Sequence, residues 1–115
     1  MERNHRLILA CSLCMLFASG TVAMAQSFPA KLIRVVVPFA PGGATDITGR
    51  LAAQKISEAW GQNMIVDNRP GASGMIGADI VAKAPPDGYT VLLGSTAELA
   101  INQHLYSKMT YSTEK

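Results

Sequence analysis

The sequence predicts an α/β fold: a βαβαβα run forming a parallel sheet with flanking helices. Three observations carry that expectation. Short aliphatic or β-branched runs at 33–38, 64–68 and 89–94 are each followed by a loop rich in Gly, Ser or Thr, and then by apolar residues at helical spacing. The helices between the runs are long enough to act as crossover connections, which parallel strands require. Right-handed crossovers then bring all three strand-to-helix loops to one edge of the sheet.

Residues 1–25 stand apart from this pattern. Arg3 and Arg6 form a basic start, an almost uncharged apolar run follows from Leu7 to Val22, and Ala23-Met24-Ala25 closes it with small residues. That order is a secretory signal peptide, too short and too weakly flanked to span a membrane, and it predicts a mature start at Gln26. Ile8-Leu9-Ala10-Cys11 loosely resembles a lipoprotein signal, but leaves only a few apolar residues ahead of the cysteine. Cys11 and Cys14 both lie in the removed segment, so residues 26–115 carry no cysteine for a disulfide or a thiolate ligand.

The remaining elements follow in order. Ile33-Arg34-Val35-Val36-Val37-Pro38 lacks clean alternation, as a strand covered on both faces does. Residues 39–46 form a turn-rich loop, and a helix runs from there to Trp60 with Ile47 and Leu51, then Ala52 and Ile56, as its apolar positions. Gly61 stops it. Residues 64–68 make a second strand and 69–74 a second loop. Residues 75–84 make a second helix with Ile76, Ile80, Val81 and Ala84 on one side, and Pro85-Pro86-Asp87-Gly88 terminates it. Residues 89–94 form a third strand, and Ser95-Thr96-Ala97-Glu98 opens a third helix that reaches about Leu105.

Charge and composition narrow the function. Residues 26–115 hold eight Lys or Arg against seven Asp or Glu, with no basic cluster and only scattered aromatics, which argues against nucleic-acid binding. Ninety residues suffice for one small domain or part of one. No paired acid and base, no nucleophile with a partner and no metal-ligand spacing is present: Gly71-Ala72-Ser73-Gly74 lacks the last glycine of a nucleophile elbow, because Met75 follows. The chain is therefore read as a non-enzyme without metal or cofactor.

The loops suggest anion binding instead. Gly42-Gly43 sits where a helix begins, and the first amides of a helix lack internal partners and carry the positive end of its dipole. Glycine there lets a carboxylate approach those amides without any Lys or Arg. Gly71-Ala72-Ser73-Gly74 repeats the arrangement, and Ser95 and Thr96 add hydroxyls at the third helix. Backbone geometry alone also accounts for glycines in such turns. The spacing matches neither a dinucleotide fingerprint nor a phosphate-binding loop. Asp46, in a helical first turn, suits dipole stabilisation or contact with a ligand amine or water. Arg69 is either a second anchor or a solvated turn charge, and His104 is read as a surface residue.

Several long segments resemble one family. Pro29-Ala30-Lys31-Leu32-Ile33-Arg34-Val35-Val36-Val37-Pro38-Phe39-Ala40-Pro41-Gly42-Gly43-Ala44-Thr45-Asp46 is similar to the opening of Bug receptors, the solute-binding proteins of tripartite tricarboxylate transporters. So are Asn68-Arg69-Pro70-Gly71-Ala72-Ser73-Gly74 with Gly77-Ala78, the run from Ala82 to Thr90, and Ala100-Ile101-Asn102 with Leu105-Tyr106. The resemblance implies the first part of the N-terminal lobe of a type II periplasmic binding protein, which captures small carboxylates for an inner-membrane permease. It implies ligand-binding roles for Phe39, Ala40, Gly42, Gly43, Thr45, Asp46, Ala72, Ser73 and Ser95, partly through ordered water. Many relatives have Gly at position 73, so its backbone amide is a firmer expectation than its hydroxyl. Family members are well over twice as long, which implies a sequence fragment or a truncated gene product lacking the hinge and second lobe. A periplasmic sensor that works without a permease is the alternative role.

Overall fold

The computed structural model describes residues 27–113, and the signal peptide expected at 1–25 lies outside them. The chain runs through β1 (Ile33–Val37), α1 (Ala44–Trp60), β2 (Met64–Asn68), a left-handed turn (Ala72–Gly74), α2 (Met75–Ala82), β3 (Thr90–Leu92), a π-helical turn (Ala97–Ile101) and α3 (Asn102–Leu105). All three strands are parallel in the order β2-β1-β3. Ile33 to Val37 stand opposite Met64 to Asn68 on one side, and Arg34 to Val36 stand opposite Thr90 to Leu92 on the other. The expected architecture is the one observed.

β1 is the core because it is the central strand. Val36 and Val37 point to opposite faces of the sheet, and both are 0% exposed, so both faces are covered. Each such side chain contributes about 1.5–3 kcal/mol by leaving water. α1 packs on β2 and β1, the strands it connects, and α2 packs on β3 and the central β1.

The faces these helices bury differ from the expected ones. α1 buries Asp46, Gly49 and Ala53, while Ile47 and Leu51 are 62% and 59% exposed. α2 buries Gly77 and Ala78 and leaves Ile76 exposed. The reason is close approach. A Cβ on Gly49 would lie 2.7 Å from Leu93 Cδ2, and one on Gly77 would lie 2.8 Å from Pro38 Cβ and 3.2 Å from the Arg69 carbonyl oxygen. Small residues let each helix sit tightly on the sheet, and the larger aliphatics flank the contact.

The helix ends are fixed locally. Gly61 adopts φ 66° and donates its N–H to the Ser57 carbonyl at 2.9 Å, closing α1 in the left-handed conformation glycine favours. The Ser57 hydroxyl accepts the Met64 N–H at 2.9 Å and so ties that end to the start of β2. Phe28, Trp60 and Tyr89 gather near the amino ends of the strands, with ring centroids 6.2 Å and 5.0 Å from Phe28. The opposite edge is left to the loops.

Candidate functional site

Parallel pairing places the loops after β1, β2 and β3 at the carboxyl edge of the sheet, as the crossover argument requires. Gly77 packed against Pro38 and Arg69 draws the first two loops together. The third joins through Asn102, whose side-chain amide donates to the Ser73 carbonyl at 2.9 Å.

In the first loop Phe39 is partly buried, and Ala40, Gly42 and Gly43 are exposed. Gly42 adopts φ 85°, a left-handed conformation, which turns its N–H onto Asp46 Oδ2 at 2.9 Å. The Asp46 side chain also accepts from Arg50 Nε at 3.0 Å and from Asn68 Nδ2 at 2.9 Å, and Arg50 Nη2 lies 3.0 Å from Oδ1. The guanidinium of Arg50, then the Gly42 amide and Asn68, hold its carboxyl at a pKa of about 2, and Asp46 is only 3% exposed. Asp46 is thus the brace that shapes the loop, and the Gly42 amide is committed to it. Gly43 adopts φ −77°, an ordinary extended conformation, and no side chain caps the helix it precedes. The first-turn amides of α1, including that of Thr45, are therefore the donors this loop presents.

The last four residues of the second loop all have positive φ: 128° at Gly71, 46° at Ala72, 54° at Ser73 and 84° at Gly74. Holding Ala72 and Ser73 there costs about 1–2 kcal/mol per residue, and strain of this kind gathers at ligand sites. A Gly74 N–H to Gly71 carbonyl bond of 3.0 Å and the Asn102 anchor hold the turn, and Ala72 and Ser73 remain exposed. Arg69 folds back onto Asp67, with Nε 3.0 Å from Oδ1, and Arg34 pairs with the same carboxylate. Arg34 first, with Arg69, holds the Asp67 carboxyl below its ordinary value.

The third loop differs from the expected anion donor. The Ser95 N–H donates to Glu98 Oε1, and the Ser95 hydroxyl donates to Glu98 Oε2 at 2.8 Å while accepting from the Ala97 N–H at 3.2 Å. Ser95 is occupied by its own helix. Glu98 and Asn102, each 1% exposed, together with Asn68 and Arg50 are the site residues that sequence reasoning left without a role. Asn102 lies in the Ala100-Ile101-Asn102 run, but its partner Ser73 is 29 residues away and invisible to local pattern.

Among the described residues no His, Cys, Asp or Glu group comes together as a metal site, and no helix is long and apolar enough to cross a membrane. His104 is exposed on α3 beside Gln103. A surface cavity of about 330 Å³ opens beside the second loop between Met75, Ile76, Asp79 and Lys108, and takes in Ala72 alone of the expected site residues.

A family model described as "Tripartite tricarboxylate transporter family receptor" matches residues 48–115. A protein encoded in the tcbD–tcbE intergenic region of Pseudomonas sp. (strain P51) is 41% identical over 112 residues, covering 97% of this chain and 33% of its own length. BugT of Bordetella pertussis is 44% identical over 88 residues, covering 76% of this chain and 27% of its own. An R. palustris protein solved with adipate superposes at a TM-score of 0.74 with 43% identity over 77% of this chain and 30% of its own. MatC from Rhodopseudomonas palustris, solved with bound malate, does so at 0.72 with 38% identity over 76% and 30%. The chain spans about a third or less of the length of these curated relatives.

Proposed function

The chain belongs to the tripartite tricarboxylate transporter receptor family of periplasmic solute-binding proteins, and from that premise we propose that it captures small carboxylates at the carboxyl edge of its sheet. The observation that carries the reading is the juxtaposition of two neutral donor sets. The uncapped amino end of α1 and the exposed left-handed turn at Ala72 and Ser73 both lie at the carboxyl edge of the sheet, on loops that follow the neighbouring strands β1 and β2. Phe39, Ala40 and Gly43 border this space, Thr45 supplies a first-turn amide, and Gly42 with Asp46 shapes the loop from behind. A carboxylate held there accepts charge-assisted bonds from backbone amides, with no cationic side chain needed.

Binding is the whole of the proposed role, as it is for the receptor family to which the chain belongs. The adipate and malate of the two solved relatives support small di- and hydroxycarboxylates as the ligand class. Delivery to an inner-membrane permease and export with cleavage after Ala25 complete the proposal. Calorimetric titration of the purified protein against adipate, malate and monocarboxylates tests the first part, and saturable binding of at least one is the expected result. Heat no different from that of chloride across the panel would refute it. For export, mass spectrometry of periplasmic material should find Gln26 at the amino terminus, and a lipid on Cys11 would overturn that expectation.

A further inference from the structure

Glu98 is a buried carboxylate that the carboxylate-binding reading does not use. It is 1% exposed, and none of the Lys or Arg ion pairs among the described residues involves it. Both its oxygens accept from Ser95, one from the N–H and one from the hydroxyl. It also abuts the second loop, since a Cβ on Gly74 would lie 3.0 Å from Oε2. Tyr111 donates its hydroxyl to the Glu98 carbonyl at 2.7 Å, which pins the residue from the far side. A negative side chain therefore sits between the second and third loops, at the edge where the proposed anion is held.

We propose that Glu98 is a specificity-determining residue of this site: it withdraws Ser95 as an anion donor and favours ligands that place an ammonium or hydroxyl, not a second carboxylate, beside Ser95. The inference rests on the carboxylate-binding reading and refines its substrate class to amino and hydroxy acids. Ser95 spends both its donors on Glu98, so a ligand carboxylate there finds no hydrogen bond to accept. Its remaining partner is the field of a buried charge, which is poorly screened and repels a like charge as it attracts an opposite one. Selectivity of this kind works by penalising the wrong ligand.

The test uses ligands of matched chain length: 4-aminobutyrate, 4-hydroxybutyrate and glutarate, titrated calorimetrically into the protein and into Glu98→Gln. The unmodified protein is expected to rank them in that order. Glu98→Gln keeps the side chain's shape, removes its charge, and should shift the 4-aminobutyrate to glutarate preference toward glutarate by about tenfold or more. A role confined to packing would weaken all three ligands together and leave the ratio unmoved. Binding of all three with an unchanged ratio in Glu98→Gln overturns the inference and leaves carboxylate binding intact. Binding of none of the wider carboxylate panel overturns both. Should Glu98→Gln fail to fold, the ranking on the unmodified protein decides: glutarate as the tightest of the three ligands would refute the role of Glu98.

Discussion

Replacing Gly43 with valine separates the binding role of the first loop from its structural role. Gly43 has φ −77° and ψ 167°, a conformation any β-branched residue adopts, and the nearest atom to an added Cβ is the Ala40 carbonyl oxygen at an ordinary 3.6 Å. The expected stability cost is therefore only that of a poorer helix cap, roughly 0.5–1 kcal/mol. The valine methyls, however, occupy space in front of the first-turn amides of α1. Loss of one charge-assisted hydrogen bond there costs about 1.5–3 kcal/mol, roughly ten- to a hundredfold in affinity. Gly42→Ala is the matched control: its φ of 85° makes a side chain cost about 1–2 kcal/mol, with nothing within 4 Å to clash, and its amide serves Asp46. Thermal melts and calorimetric titrations of both variants should show affinity falling mainly in Gly43→Val and stability mainly in Gly42→Ala. Unchanged affinity in Gly43→Val, with binding abolished in Arg69→Ala, would place the anion on Arg69 and refute the reasoning.

Asn102→Ala removes a buried amide that holds the Ser73 carbonyl, so it should cost about 1–3 kcal/mol and lower the melting temperature by several degrees. A melting temperature within a degree of the parent's would show that the turn at 72–74 holds itself. Gly77→Val forces a side chain against Pro38 Cβ at 2.8 Å and its Cα at 3.0 Å, and overpacking of this kind should cost about 1–3 kcal/mol in a urea titration. An unchanged midpoint would mean that α2 can lift from the sheet at no cost. Acid should unfold the protein progressively. The carboxyls of Asp46, Asp67, Asp79 and Asp87 all fall below the ordinary 3.8, Asp46 to about 2, so the folded state holds protons less tightly than the unfolded one. The stability they contribute is complete above the unfolded value and is lost as pH falls from about 4 toward 2. Equal melting temperatures at pH 6 and pH 3 would contradict this.

The sequence by itself determined the order of strands and helices, the parallel sheet and the edge where the loops meet. These follow from local quantities: β-branched runs, turn residues at fixed points and crossovers of one hand. The second strand runs over Met64–Asn68 as expected, and Gly61 ends α1 through its left-handed φ. The helix faces were legible only in part. Aliphatic spacing marked 47–60 as helical and pointed at Ile47 and Leu51, but the buried stripe is Gly49 and Ala53 with Asp46 at its head. Glycine and alanine weigh little in a hydrophobic pattern, yet they alone fit the distance at which α1 meets Leu93 and Val37.

Which donors remain for a ligand was decided by the folded conformation, through side chains three and four residues along the chain and the tertiary anchors that hold them. Gly42 and Ser95 read as anion donors on sequence, and both turn out to serve an internal carboxylate, Asp46 for one and Glu98 for the other. Asp46 is fixed by Asn68, 22 residues away at the end of a neighbouring strand, and Ser73 by Asn102, 29 residues away on α3. A hydrogen-bonding group carries its chemistry in the sequence, but whether it is free depends on what the fold brings within 3 Å of it: a near neighbour for Gly42 and Ser95, a distant segment for Asp46 and Ser73.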